Sequence, residues 1–187
     1  LKRQKNPTFE SLNAMALQIM LLCNFRVGSQ QNEKTYHTYG LSTLTIDHII
    51  FKGNQATIRF NGKKQQLNEN ILKDKNIVNI LHKLVDHNKN NKSHGKSKYL
   101  FSWEDKRVTP ESLNEFLGKY HQAITTKTWR TWFANTRYIE LMRADTTNPE
   151  SIMARKKLSN LAVKKVAEEL HHTPAICKKN YLMTELI

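Results

Sequence analysis

The chain has 187 residues, 39% of them apolar, with thirty Lys and Arg against sixteen Asp and Glu. The resulting formal charge of +14 implies a polyanionic partner. No apolar run approaches the roughly 18 residues of a membrane-spanning helix, and two distant cysteines, Cys23 and Cys177, exclude a disulfide scaffold and point to a reducing compartment.

The N-terminal Leu1-Lys2-Arg3-Gln4-Lys5 carries no signal-peptide pattern and no initiator Met, so a fragment of a larger protein is expected. Residues 9–24 place Phe9, Leu12, Met15, Ala16, Ile19 and Leu22 near a helical period and predict a buried helix, ended by Phe25-Arg26-Val27-Gly28. Over residues 45–68 the period changes to two. Ala56, Ile58 and Phe60 point one way and Thr57 and Arg59 the other, while Gly53-Asn54 and Asn61-Gly62 stand where tight turns belong. A three-stranded antiparallel sheet is predicted, with Lys63 projecting from the tip of its second hairpin.

Helical spacing returns at 73–87, where Ile77, Ile80, Leu81, Leu84 and Val85 share a face. Asn88 to Lys98 (NKNNKSHGKSK) carries four lysines among Ser, Gly and Asn and predicts a basic surface loop. Three later helices announce themselves by a capping side chain before a proline: Thr109-Pro110, Asn148-Pro149 and Thr173-Pro174. They predict helices over 109–121, 149–170 and 174–185, with a further helix over 126–144. The fold class expected is mainly α with one small three-stranded antiparallel sheet.

Individually the polar residues admit bland roles. Lys127 and Arg130, three apart, could form a solvated basic face backed by Trp129, Trp132 and Phe133. Arg26 could complement a helix C-terminus. Tyr181, placed inside the last helix, could be a packing residue, and His172 a polar residue before a cap. His82 with His87, and His171 with His172, lack zinc-site spacing, so no metal is expected.

Together these pieces resemble the type IB DNA topoisomerases, specifically the poxvirus-like and small bacterial branch. Five motifs occur in the family's order across residues 9–187: Arg26-Val27-Gly28; Tyr39-Gly40-Leu41-Ser42-Thr43-Leu44 with His48; Gly62-Lys63 in a hairpin; Lys127-Thr128-Trp129-Arg130-Thr131-Trp132; and His172 through Tyr181, nine residues apart. The resemblance implies the catalytic-domain fold shared by these enzymes and the tyrosine recombinases. It implies that Tyr181 is the nucleophile of a 3′-phosphotyrosyl link, and that Arg26, Arg130 and His172 stabilise the phosphorane. Lys63 would protonate the departing 5′ oxygen, with Lys127 as a relay or second donor.

The chemistry suits these residue types. Guanidinium groups donate in planar pairs and keep their charge, so converging arginines can stabilise a five-coordinate phosphorus without a metal. A tyrosine of ordinary pKa near 10 needs cationic neighbours to act as a nucleophile. A basic alkoxide leaves more readily when an ammonium protonates it. The covalent link conserves the phosphodiester energy, so no ATP is expected, in keeping with the lack of a Gly-x-x-x-x-Gly-Lys-[Ser/Thr] loop.

Double-stranded DNA is therefore the expected partner, with no membrane. Lys178, Lys179 and Lys64 are candidate phosphate contacts, and binding should weaken steeply with salt. The expected domain is a single catalytic domain over 1–187, acting as a monomer and lacking the family's N-terminal half-clamp. An intracellular site is expected: cytoplasm, nucleoid, viral factory or virion, with the nucleus left open. Heavy use of Asn, Lys and Ile suits an AT-rich virus or bacterium. A tyrosine recombinase shares the constellation, but commonly has His where Lys127 stands. A DNA-binding module without catalysis would explain the charge but not the five ordered motifs.

Overall fold

The computed structural model describes residues 7–90, 98–145 and 151–187. The chain forms two compact units, Leu1–Ala123 and Ile124–Ile187.

In the first unit, α1 (Phe9–Cys23) starts at Thr8, whose hydroxyl accepts from Ser11 N at 3.1 Å. It buries Leu12, Met15, Ala16 and Ile19 as expected, with Leu17, Met20 and Cys23 beside them. Leu22 departs from expectation: it is 56% exposed, because Met20 and Cys23 flank the stripe at the end of the helix and Leu22 faces away. A short helix α2 (Gln30–Tyr36), capped by Ser29, was not predicted, since QQNEKTY has no apolar stripe to betray it. Its anchor is polar. Glu33 is buried, and its carboxylate accepts from Lys98 Nζ and from Tyr99 Oη.

The predicted sheet is present, as β1 (Ile49–Lys52), β2 (Gln55–Asn61) and β3 (Leu67–Leu72) in antiparallel order. Ile49 pairs with Ile58, Ala56 with Leu72 and Asn61 with Leu67. Ala56, Ile58 and Phe60 face the core. Helix α3 (Lys75–Asn90) opens on Asp74, whose carboxylate accepts from Asn76 N and Ile77 N. It buries Val78 with Ile77, Leu81, Leu84 and Val85, and leaves Ile80 half-buried.

The basic loop was expected from Asn88, but α3 continues to Asn90. Asn88 lies in the last turn of α3, buried, and its amide donates to the carbonyls of Tyr99 and Leu100 at 2.9 and 3.0 Å. The remainder of that predicted loop, 91–97, lies outside the described residues. A two-stranded ribbon, β4 (Ser102–Trp103) with β5 (Lys106–Arg107), follows. Helix α4 (Pro110–Gly118) has the predicted start: Thr109 and Ser112 cap each other's amides at 3.1 and 2.9 Å.

The second unit is α-helical among its described residues: α5 (Thr126–Ala144), α6 (Ile152–Glu169) and α7 (Pro174–Asn180), then a 3₁₀ turn over Thr184–Leu186. Its core gathers Ala134 and Tyr138 of α5 with Ala162, Val163, Val166 and Ala167 of α6, and with Leu170, Cys177 and Leu182. Each large side chain there contributes about 1.5–3 kcal/mol by leaving water. Arg137 Nε reaches both carboxylate oxygens of Glu169 at 3.0 Å, which ties α5 to the end of α6.

Helix α6 is capped by Ser151, whose hydroxyl accepts from Ala154 N at 3.1 Å; the predicted Asn148-Pro149 start lies outside the described residues. Trp132 is not part of an apolar backing, being 67% exposed, whereas Phe133 packs on the core. Helix α7 is shorter than predicted and ends before Tyr181, for a reason that belongs to the site.

Candidate active site

In the second unit the sequence places Arg130 one turn into α5, where Thr125 and Thr128 cap each other and fix the helix start. Arg130 is 6% exposed, so the solvated basic face proposed for it does not exist; Lys127, three residues earlier, is exposed. Arg130 Nη2 donates to the Leu170 carbonyl at 2.7 Å and lies 2.9 Å from His172 Nε2. A guanidinium has no acceptor, so Nε2 accepts and the imidazole proton sits on Nδ1.

His172 is set by the way α6 ends. Its N–H bonds the Ala167 carbonyl at 2.8 Å while His171 N bonds Glu168 O at 3.0 Å, a six-to-one and five-to-two pair that closes the helix. His171 takes the left-handed conformation that this ending requires, with φ 55°. Thr173 then caps α7, its hydroxyl accepting from Ile176 N at 3.4 Å.

Tyr181 follows directly on α7. Its ring centroid stands 4.5 Å from that of His172, and the Arg130 guanidinium carbon is 5.7 Å from the ring centre. A continued helix would use the Tyr181 carbonyl and the Met183 amide in its own ladder. Asn135 of α5 takes both: its Nδ2 donates to Tyr181 O at 2.8 Å and its Oδ1 accepts from Met183 N at 2.9 Å. This capture ends the helix. Asn135 was missed in the sequence; the available signal was a polar residue beside the buried Ala134 and Tyr138. Beneath the site the Cys177 thiol is pushed up to about 11 by burial, with the nearby Arg130 charge opposing. The candidate phosphate contacts Lys178 and Lys179 are exposed in the last turn of α7.

The remaining candidates stand in the first unit. Arg26 follows the left-handed Asn24 (φ 54°) and the fully buried Phe25, and is half-buried. Its carbonyl accepts from Leu41 N, and that of Val27 from Ser42 N, both at 2.8 Å. These bonds lay the Arg26-Val27-Gly28 segment across Gly40-Leu41-Ser42. A methyl group on Gly40 would fall 2.5 Å from Gly28 N and 2.6 Å from Arg26 O. His48 faces Tyr39 edge-on, ring centroids 4.3 Å apart, and its Nδ1 accepts from Thr45 N at 3.0 Å. Tyr39 N in turn donates to the Asn61 carbonyl at 2.8 Å, next to the Lys63 turn.

Lys63 and Lys64 are exposed as predicted, but not on a tight Asn-Gly turn. Asn61 stays in β2, and residues 62–66 make the connection, closed by Gly62 N to Gln66 O at 2.8 Å. The left-handed positions are Lys64 (φ 62°) and Gln65 (φ 58°). Gln65 Nε2 secures this turn to the Tyr36 carbonyl of α2 at 2.8 Å. Among the described residues no group of three or more His, Cys, Asp or Glu is arranged to hold a metal ion, and no helix is long and apolar enough to cross a membrane.

The second unit thus brings Arg130, His172 and Tyr181 together. Residues 2–186 match the family described as the eukaryotic DNA topoisomerase I catalytic core, and the chain belongs to that family. It is 29% identical over 195 aligned positions to DNA topoisomerase 1B of Acanthamoeba polyphaga mimivirus, covering 97% of this chain and 56% of the relative. It is 27% identical over 163 positions to DNA topoisomerase I of Monkeypox virus and to DNA topoisomerase 1B of Vaccinia virus (strain Copenhagen), covering 87% of this chain and 48% of each relative. The chain thus spans about half the length of the curated relatives it matches. These findings bear out the type IB topoisomerase resemblance and the fold class that it implied.

Proposed function

We propose that this chain is the catalytic part of a type IB DNA topoisomerase, cutting and resealing one strand of duplex DNA through Tyr181 without ATP or a metal. The observation that carries the reading is the grouping of Arg130, His172 and Tyr181 around one point of the second unit. In the reaction the Tyr181 Oη attacks the scissile phosphorus, loses its proton to solvent and forms the 3′-phosphotyrosyl bond. The P–O5′ bond breaks, and Lys63 gives its proton to the leaving oxygen, with Lys127 as second donor. Arg26, Arg130 and His172 donate to the non-bridging oxygens, where charge gathers in the transition state.

Resealing reverses each step, and rotation of the 5′ strand between the two relaxes supercoils. The phosphate oxygens would replace the Arg130–His172 contact, which requires the imidazole to present a proton at Nε2. Lys64, Lys178 and Lys179 are assigned to the DNA backbone. Action as a monomer, as one half of a clamp completed by a further domain, and an intracellular site belong to the same proposal.

The test is incubation with negatively supercoiled plasmid in EDTA without nucleotide, alongside a nicked suicide duplex that traps the covalent adduct. Relaxation and a protein–DNA adduct are expected, both lost in Tyr181→Phe. Arg130→Ala should slow adduct formation by about 10²–10³-fold. Binding without any adduct would instead identify a non-catalytic DNA-binding module, and an adduct surviving Tyr181→Phe would refute the mechanism.

A further inference from the structure

We infer that Asn68 is a positioning residue for the general acid: its buried carboxamide closes the neck of the 62–66 turn and thereby fixes where Lys63 stands. This rests on the reading of Lys63 as the proton donor to the leaving 5′ oxygen.

Asn68 occupies a place where the sheet pattern calls for an apolar residue. On β3 it shares the inward face with Leu72, lies opposite Phe60 and is 6% exposed. A buried amide in such a row needs a bonding partner. Its Nδ2 donates to Gln66 O at 2.9 Å, the same carbonyl that accepts from Gly62 N at 2.8 Å. The two donors use the two lone pairs of that oxygen, so the turn is closed through one atom.

Gly62 supplies the room. Its φ of −88° and ψ of −167° are extended values open to any residue, so packing and not conformation calls for a glycine there. A methyl group on it would fall 2.5 Å from Asn68 Nδ2, so the amide lies in the space that a side chain at 62 would fill. Lys63, the next residue, needs such a hold. It is exposed and carries a flexible four-carbon stem. The two residues after it, Lys64 (φ 62°) and Gln65 (φ 58°), take the left-handed conformation that side chains disfavour. Gln65 ties the far side of this turn to Tyr36 O, and Asn68 ties its neck. A general acid must reach the leaving oxygen to act, and a displacement of about 1 Å can slow chemistry by about 10²-fold.

The test is single-turnover cleavage of the suicide duplex at saturating DNA, with either oxygen or sulfur at the bridging 5′ position of the scissile phosphate. A thiolate is much less basic than an alkoxide and departs without a proton donor. Asn68→Ala removes the amide, and Asn68→Leu fills its space without donating. In both, the rate constant of adduct formation on the oxygen substrate is expected to fall by about 10–10²-fold, while on the sulfur substrate it stays within about twofold of wild type. Gly62→Ala should reproduce this pattern by displacing the amide. The double variant Gly62→Ala/Asn68→Ala should be no slower than the slower single variant, because both changes act on one contact. In the DNA-free protein, amide exchange at Gly62 should accelerate in Asn68→Ala.

A wild-type rate constant on the oxygen substrate in both Asn68 variants would overturn the proposal. So would equal losses on oxygen and sulfur, the behaviour of a residue that only stabilises the fold, or losses that multiply in the double variant. Unaltered Gly62 exchange in Asn68→Ala would overturn the neck contact without recourse to catalysis. Lys63→Ala serves as the separate control: a loss on oxygen that sulfur does not relieve refutes Lys63 as the proton donor, while Gly62 exchange still judges the neck.

Discussion

Replacing Gly40 by alanine adds one methyl group at the crossing of two backbone segments, and the structure sets what that methyl meets. Its carbon would lie 2.5 Å from Gly28 N, 2.6 Å from Arg26 O and 2.6 Å from Gly28 Cα. Ordinary contacts are about 3.5–4 Å, so the overlap is roughly 1 Å, and no flexible side chain stands there to yield. The segments must part by about that distance. The bonds Leu41 N to Arg26 O and Ser42 N to Val27 O, both 2.8 Å, would then exceed hydrogen-bonding range.

Two such bonds are worth about 1 kcal/mol each, and overpacking a tight interior adds about 1–3 kcal/mol. Gly40→Ala should therefore lose about 3–5 kcal/mol, measured as a lower urea midpoint with an unchanged m value. Because the displaced segment carries Arg26, the cleavage rate of the folded fraction should also fall by about 10²-fold. Gly118→Ala is the control: its methyl meets nothing within 4 Å. A Gly40→Ala protein within 1 kcal/mol of wild type, cleaving at the normal rate, would refute the claim that this crossing places Arg26.

Two further outcomes follow from burial and charge. Leu170 is fully buried and Leu22 is 56% exposed, so Leu170→Ala should cost about 2–5 kcal/mol in urea unfolding and Leu22→Ala less than about 0.5 kcal/mol. Burial holds the His48 imidazole below its ordinary 6.5, against the opposing charges of Asp47 and Glu33. The unfolded chain therefore takes up this proton at higher pH than the folded one, so the contribution of His48 is whole above about pH 6.5 and is lost as pH falls below it. Thermal melts should show Tm dropping across that interval, and His48→Gln should flatten part of the drop.

The parts of this molecule written in local periodicity were legible beforehand. The alternating Ala56, Ile58 and Phe60, the α3 stripe, and the caps at Thr109 and Thr173 each follow from neighbours within a few residues, and each stands where its pattern put it. What escaped depends on partners far along the chain. Helix α2 has no stripe and is held through Glu33 by Lys98 and Tyr99. The early end of α7 is imposed by Asn135, 46 positions before Tyr181. The Asn61-Gly62 pair looked like a hairpin turn, but continued pairing of Asn61 with Leu67 moved the left-handed residues to Lys64 and Gln65. The burial of Arg130, a residue that the resemblance already placed among the catalytic ones, was not visible, because charge pattern alone does not reveal a buried carbonyl such as that of Leu170.

The joint between α6 and α7 also acts as a gauge. His172 is locked to the end of one helix, Thr173 opens the next, and Tyr181 falls where that helix stops, so the count of residues between imidazole and phenol is a mechanical dimension. One residue inserted into α7 would swing the phenol by about 100° and advance it about 1.5 Å, aiming it away from the guanidinium even if every side chain were retained. Substitutions along α7 can be absorbed at its exposed positions; a change in its length cannot.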